Sequence, residues 1–324
     1  MKNSKRLFIQ VEVILGITIL VLAVLMFREK SRDDLYKVSV IVRDSEDSQW
    51  SAFRYGLKMA AEDFGVEVFV VSTGDILDLE EEMEYVNREI HNGADAVIMQ
   101  PLPGTKGEEL LKKADKKVPI MFVEHGMSLT GSAAAIPVTK PDNYALGKAL
   151  GEELLKDYSG NIRGKTVGIL GDIDEMEATK SRREGLLEVL KETDAKILWS
   201  AFGAFGKEQE NSLEKQPKVD IVLALDDASL KTAGACGGEN NLHGALVYGI
   251  GNSTESAYYL DIGIVRCLLV PDEFSVGYDS LTEVAQNIGH WYCKMKDRTV
   301  SYHIIRRGEL FTKENQDILF TMSQ

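Results

Sequence analysis

Cysteine is scarce: Cys236, Cys267 and Cys293 are the only three in 324 residues. None stands in a CxxC pair, so they carry no metal or redox signature. Cys267 falls in the apolar run 265–270 and reads as a small buried hydrophobe. The five histidines, His91, His125, His243, His290 and His303, never fall at metal-ligand spacing on one helix. Positive charge is also short, with 37 Lys and Arg against 51 Asp and Glu and a formal net charge of −14. A nucleic acid partner needs a basic face, and that class is excluded. Cofactor and catalytic signatures are missing too. Gly249-Ile250-Gly251 lacks the third glycine of a dinucleotide loop, and neither a P-loop nor a G-x-S-x-G elbow occurs. Asp226-Asp227 makes no metal pair, because adjacent residues at a strand end point apart. A non-enzymatic protein without cofactors is expected.

What the chain does have begins with one long apolar run. Residues 7–27 read LFIQVEVILGITILVLAVLMF, broken only by Gln10 and Glu12. At 1.5 Å per residue this run extends roughly 31 Å, enough for a bilayer core of about 30 Å. Lys2, Lys5 and Arg6 precede it as a positive cytoplasmic flank. No A-x-A site follows it and no cysteine lies near its end, which favours an uncleaved anchor over a signal peptide or a lipoprotein. Removing 1–27, with three positive and one negative charge, leaves −16 on the remainder. The expected topology is a cytoplasmic head at 1–6, a transmembrane anchor at 7–27 and a linker at 28–37. The acidic remainder then lies outside a single-pass cell-membrane protein.

Beyond the linker, β-branched runs alternate with helical stripes, the pattern of βαβ units and parallel sheets. A first series of strands is predicted at 38–42, 66–71, 94–99 and 118–123. Trp50, Phe53, Leu57, Ala60, Ala61 and Phe64 mark one apolar helix stripe between them. Leu79, Met83, Val86 and Ile90 mark another, and Asn92-Gly93 stops it. A second series is predicted at 166–170, 196–200, 220–225, 245–250 and 265–270, with helices at 176–193, 207–215, 227–234 and 253–261. Residues 133–138 and a helix over 142–158 read as a crossover. Two parallel sheets in tandem make a cleft, and ligands bind at the carboxyl ends of such strands.

Several segments, in order, resemble the type I periplasmic sugar-binding proteins, the ribose- and galactose-binder relatives. They are VSVIVRDSEDSQWSAFRYGLKMAAEDFGVEV, GADAVIMQPLPG, VPIMFVEHG, KPDNYALGKALGEELL, RREGLLEVL, DIVLALDDASLKTAGA and LFTKENQDI. The likeness covers about residues 37–320. It implies two doubly wound α/β lobes joined by three crossovers and preceded here by one transmembrane helix. The amino-terminal lobe is expected at 38–138 plus 272–297 and the carboxy-terminal lobe at 139–271 plus 298–324, with Pro271 at a hinge. A similar fold serves sugar-responsive repressors, but a membrane span stands here where those carry a helix-turn-helix.

The resemblance also implies site positions. In the loop after the first strand Asp47 and Trp50 match best, while Gln49 replaces a usual aromatic; the other reading makes Ser48 or Asp47 a helix cap and Trp50 a first core residue, and the ligand role is favoured for Trp50. Glu124-His125 stand where the family often has Asp-Arg. Lys180 aligns with a ligand-binding arginine, Phe205 with an aromatic of the second lobe (Phe202 is its rival), and Asp226 with a ligand-binding Asn or Asp. Asp227 reads as the cap of the helix after it. Gly251 replaces an expected aspartate and Pro271 an expected glutamine or asparagine. The implied function is capture of a small polar solute, a sugar or polyol, for an ABC-type importer. Presentation of bound solute to a membrane sensor kinase is the alternative. Asp47, Glu124 and Asp226 with Lys180 as the only cation make an amine or amino sugar the second ligand class.

Overall fold

The alternating runs of the sequence build two sheets. The computed structural model describes residues 15–16, 18, 35–74, 76, 78–127, 129, 135–203, 213–289 and 293–320. The head 1–6 and most of the spans 7–27 and 28–37 lie outside the described residues. Among the described residues no helix is long and apolar enough to cross a membrane. Residues 37–324 form one compact unit.

In chain order come β1 (Tyr36–Val42), α1 (Ser51–Phe64), β2 (Val66–Ser72), α2 (Leu79–His91), β3 (Ala96–Met99), α3 (Glu108–Asp115), β4 (Ile120–Val123), β5 (Val138–Pro141) and α4 (Asn143–Asp157). Next are β6 (Thr166–Gly171), α5 (Glu177–Lys191), β7 (Lys196–Phe202), β8 (Ile221–Ala224), α6 (Asp227–Gly238), β9 (Leu246–Ile250), α7 (Thr254–Asp261) and β10 (Val265–Pro271). The chain continues through α8 (Glu273–Gly289), β11 (Arg298–Val300), β12 (Tyr302–Arg306) and α9 (Lys313–Phe320). Of the helix predicted at 207–215 only 213–215 is described, as a single 3-10 turn.

The strand orders are β11-β5-β4-β3-β1-β2 and β12-β10-β9-β8-β6-β7. The registered pairings of the first sheet are parallel. Those of the second are parallel as well, except that β12 runs against β10. In each sheet the order turns back on itself between β1 and β3, or between β6 and β8. That is the switch point outside which an open α/β sheet binds ligands.

The chain passes between the sheets three times, at Asp142, at Asp272 and at Ser301. The sequence reading placed two of these boundaries at 138 and 297. Both shift, because β5 and β11 complete the first sheet. Strands of four and three residues carry too little pattern to reveal which sheet they join.

Helices pack both sheets, and the predicted stripes explain why. Phe53, Leu57 and Ala60 of α1 and Leu79, Met83 and Val86 of α2 are buried, while Phe64 turns outward. In each lobe the helix that leaves a crossing touches the helix that faces the cleft through paired glycines. A Cβ on Gly56 of α1 would lie 2.1 Å from Phe274 O, and one on Gly277 of α8 would lie 2.1 Å from Phe53 O. A Cβ on Gly147 of α4 would lie 1.8 Å from Arg182 O, and one on Gly185 of α5 would lie 2.1 Å from Tyr144 O. Only glycine permits backbones to approach this closely.

Candidate functional site

The carboxyl ends of β1, β3, β4, β6, β8 and β9 converge on one cleft of about 750 Å3, its open mouth included. Small-molecule sites occupy such places, at the switch points of α/β sheets. Arg43, Gln100 and Glu124 each directly follow a strand of the first sheet, and Asp172 and Gly251 directly follow strands of the second. Pro271 and Glu273 line the cleft from the second crossing.

Trp50 is 5% exposed and lines the cleft. Its indole N–H donates to Arg43 O at 2.9 Å, and its ring meets Phe53 edge-on at 5.3 Å. Glu124 adopts a left-handed backbone, φ 70°, which is uncommon outside glycine and marks a position held by its surroundings. Asn143 Nδ2 donates to Glu124 O at 3.0 Å, and Arg182 Nε donates to Asn143 Oδ1 at 2.8 Å. Arg182, 7% exposed, also donates to Leu225 O at 3.0 Å, so one guanidinium ties α5 to α4 and to the end of β8. His125 is buried, and burial lowers its pKa to about 4, so the ring is neutral. Its Nδ1 lies 3.3 Å from Gly126 O, which leaves the unpartnered Nε2 as an acceptor in the tautomer that bond selects.

The two lobes also touch each other around the cleft. Arg43 pairs with Asp172. Lys231 of α6 reaches Asp47 at 2.6 Å and Asp227 at 3.3 Å. Asn252 Nδ2 donates to Gln49 O at 2.7 Å. Among the described residues no cluster of His, Cys, Asp and Glu suits a metal ion.

Residues 38–289 match the periplasmic binding protein domain family. The chain belongs to that family. It is 26% identical over 190 residues to the galactofuranose-binding protein YtfQ of Escherichia coli K12, a match covering 52% of this chain and 57% of that protein. Thus the chain spans little more than half the length of this relative. Among solved structures it resembles a carbohydrate transporter solute-binding protein of Agrobacterium radiobacter in complex with D-arabinose, at TM-score 0.73 and 18% identity, covering 89% of this chain and 100% of that one. An ABC transporter solute-binding protein of Agrobacterium vitis bound to α-D-tagatopyranose gives TM-score 0.75 and 14% identity, covering 88% and 99%. These relatives are solute-binding proteins and not enzymes.

Against the periplasmic binding protein frame, the sequence-predicted residues divide. Trp50, Glu124, His125, Asp226 and Pro271 all line the cleft. Asp47 does not; its carboxylate caps Gln49 N at 3.0 Å and holds Lys231. Lys180 is exposed and faces a neighbouring depression with Glu177 and Glu184. The cation that α5 brings to the cleft is Arg182, two residues further on. Helical phase carried that signal, since Ala178, Arg182, Gly185 and Leu186 form the buried stripe of α5 and Lys180 falls off it. Phe205 lies outside the described residues; Phe202 stacks under the Arg183 guanidinium, 4.9 Å away.

The cap of α6 is Asp226, not Asp227: its side chain accepts Ser229 N at 2.9 Å and Asp172 N at 2.7 Å. Burial and then the nearby Asp172 raise its pKa. Asp227 instead fixes the neighbouring loop, accepting Asn252 N, Ser253 N and Ser256 Oγ on one oxygen. A Cβ on Gly251 would sit 2.7 Å from that oxygen. Glycine at 251 therefore makes room for a carboxylate that arrives from position 227. Sequence reasoning missed Arg43, Gln100 and Asp172, although the residue directly after each parallel strand was the place to look. It also missed Glu273, which no strand end announces. Arg43, Arg182 and Lys231 offset part of the negative charge that Glu124, Asp172, Asp226, Asp227 and Glu273 bring to the cleft.

Proposed function

We propose that this protein captures a neutral sugar or polyol between its lobes and serves an ABC-type importer. The observation that carries the reading is the make-up of the cleft. Polar groups of both lobes and of the second crossing converge there, and Arg43 and Lys231 hold Asp172 and Asp227 within the protein. Such a lining offers hydroxyls both donors and acceptors, with Trp50 as an apolar face. The sugars named with the relatives from Escherichia coli and the two Agrobacterium species support the ligand class, and the transporter role named with the latter two supports the partner. Ligand bound to both lobes shifts the population toward the closed form, which the membrane partner reads. The 7–27 run anchors the chain with its binding domain outside the cell.

A thermal-shift screen of the full chain with neutral sugars, polyols, amines and amino sugars tests this. Neutral compounds are expected to raise Tm, with affinity insensitive to salt; hits confined to amines, with affinity falling steeply in salt, would replace the ligand class. For topology, protease added outside whole cells is expected to digest 28–324, and protection of that region overturns the orientation.

A further inference from the structure

Glu124 and Glu273 meet at the inner end of the cleft. Glu124 follows β4 in the first lobe, and Glu273 opens α8 just after the second crossing. Both are buried and line the same cleft, close enough for each carboxyl group to act on the other. Two ionised carboxylates buried side by side repel each other, and a proton held between them relieves that repulsion. The cation acting on the pair is Arg182, two of whose five N–H donors go to Asn143 Oδ1 and Leu225 O. Asp272, the neighbour of Glu273, adds negative charge, and His125 beside Glu124 is neutral. Farther along the cleft Arg43 is paired with Asp172, and Asp226 and Asp227 are held by backbone donors and Lys231. Burial, then repulsion by Glu124, holds Glu273 well above the usual carboxylate range; burial raises Glu124 too. Glu124 Oε1 and Glu273 Oε2 remain buried without a partner, in residues that line the cleft.

We propose that Glu124 and Glu273 hold one proton between them and form the specificity-determining floor of the cleft, accepting hydrogen bonds from two hydroxyls of the solute and rejecting anionic solutes. The ligand half rests on the reading of the cleft given above; the shared proton is a property of the protein alone. It binds more tightly in the folded chain than in the unfolded one, where such carboxyls titrate near about 4.3. Its stabilisation is therefore complete below that pH and is lost as pH rises through the raised value. Glu82 acts in the same direction from another place. It is buried beneath Leu102 N, which it accepts at 2.8 Å, and burial lifts it to about 8.

The experiment uses the full chain carrying Glu82→Gln, melted at several values from about pH 5 to about pH 9. Tm is expected to fall as pH rises, and adding Glu273→Gln or Glu124→Gln is expected to flatten that fall, since an amide supplies the hydrogen permanently. A pH profile that neither substitution alters overturns the shared proton. Should those variants fail to fold, carbon-13 NMR of glutamate carboxyls in the Glu82→Gln chain decides. A coupled pair titrating above the ordinary range supports the proposal; all glutamates titrating near about 4.3 overturns it. D-arabinonate and D-galactonate are expected to leave Tm unchanged at neutral pH. Stabilisation by either overturns the rejection of anions, whereas failure of neutral sugars in the earlier screen touches only the ligand class.

Discussion

At the scale of single residues, Trp50 resolves an ambiguity of its own sequence position. A tryptophan just after the first strand is either a platform for a ligand or the first residue of a core stripe, and here it is packed like a core residue at the wall of the cleft. It lines the cleft yet is nearly buried, pinned by Arg43 O and by Phe53. Truncation should therefore damage the apo protein. Trp50→Ala is expected to cost roughly 3–5 kcal/mol of stability in urea unfolding. Trp50→Phe keeps most of the apolar contact but leaves Arg43 O without its donor, and a smaller loss of about 1–3 kcal/mol is expected. A loss below about 0.5 kcal/mol for the alanine variant would mean that the ring is only a ligand platform.

At the scale of elements, the helix pairs are bolted by glycine. Gly185 lets α5, which carries Arg182, lie against α4, which leaves the first crossing; Gly56 and Gly277 do the same for α1 and α8. Gly185→Ala places a methyl 2.1 Å from Tyr144 O, so the helices must part. We expect a loss of about 1–3 kcal/mol or more, with displaced Arg182 and weaker solute binding beyond what the stability change explains. An alanine variant of unchanged Tm would show that the contact relaxes without cost. The helices and most strands were legible because long runs repeat their period many times. Phe53, Leu57 and Ala60 announce a buried face in a way that Lys180 against Arg182, two positions on one turn, does not. What escaped the sequence is what depends on distant partners. Glu273 matters because Glu124 meets it, and Gly251 because Asp227 fills its space. The three-residue strand β11 was unreadable because its only qualification is an open edge beside β5.

At the scale of the whole molecule, the lobes are fastened across the cleft mouth by Lys231 between Asp47 and Asp227, by Arg43 with Asp172, and by Asn252 on Gln49 O. Lys231→Met removes the first of these fastenings and leaves two carboxylates facing each other. The full chain carrying it is expected to show a larger radius of gyration by small-angle scattering, with weaker solute affinity because the closed form is rarer. An unchanged radius would assign closure to the remaining contacts. The direction of that opening is set elsewhere. The second and third crossings are joined, since Asp272 N donates to Ser301 O at 3.1 Å and Pro271 stands opposite Tyr302 in the ladder. Two hydrogen-bonded ribbons side by side behave as a strap, stiff across its width and compliant through its thickness. Sideways sliding of one lobe over the other would shear that ladder, whereas bending it keeps every rung. The protein is built to open like a book, not like a drawer.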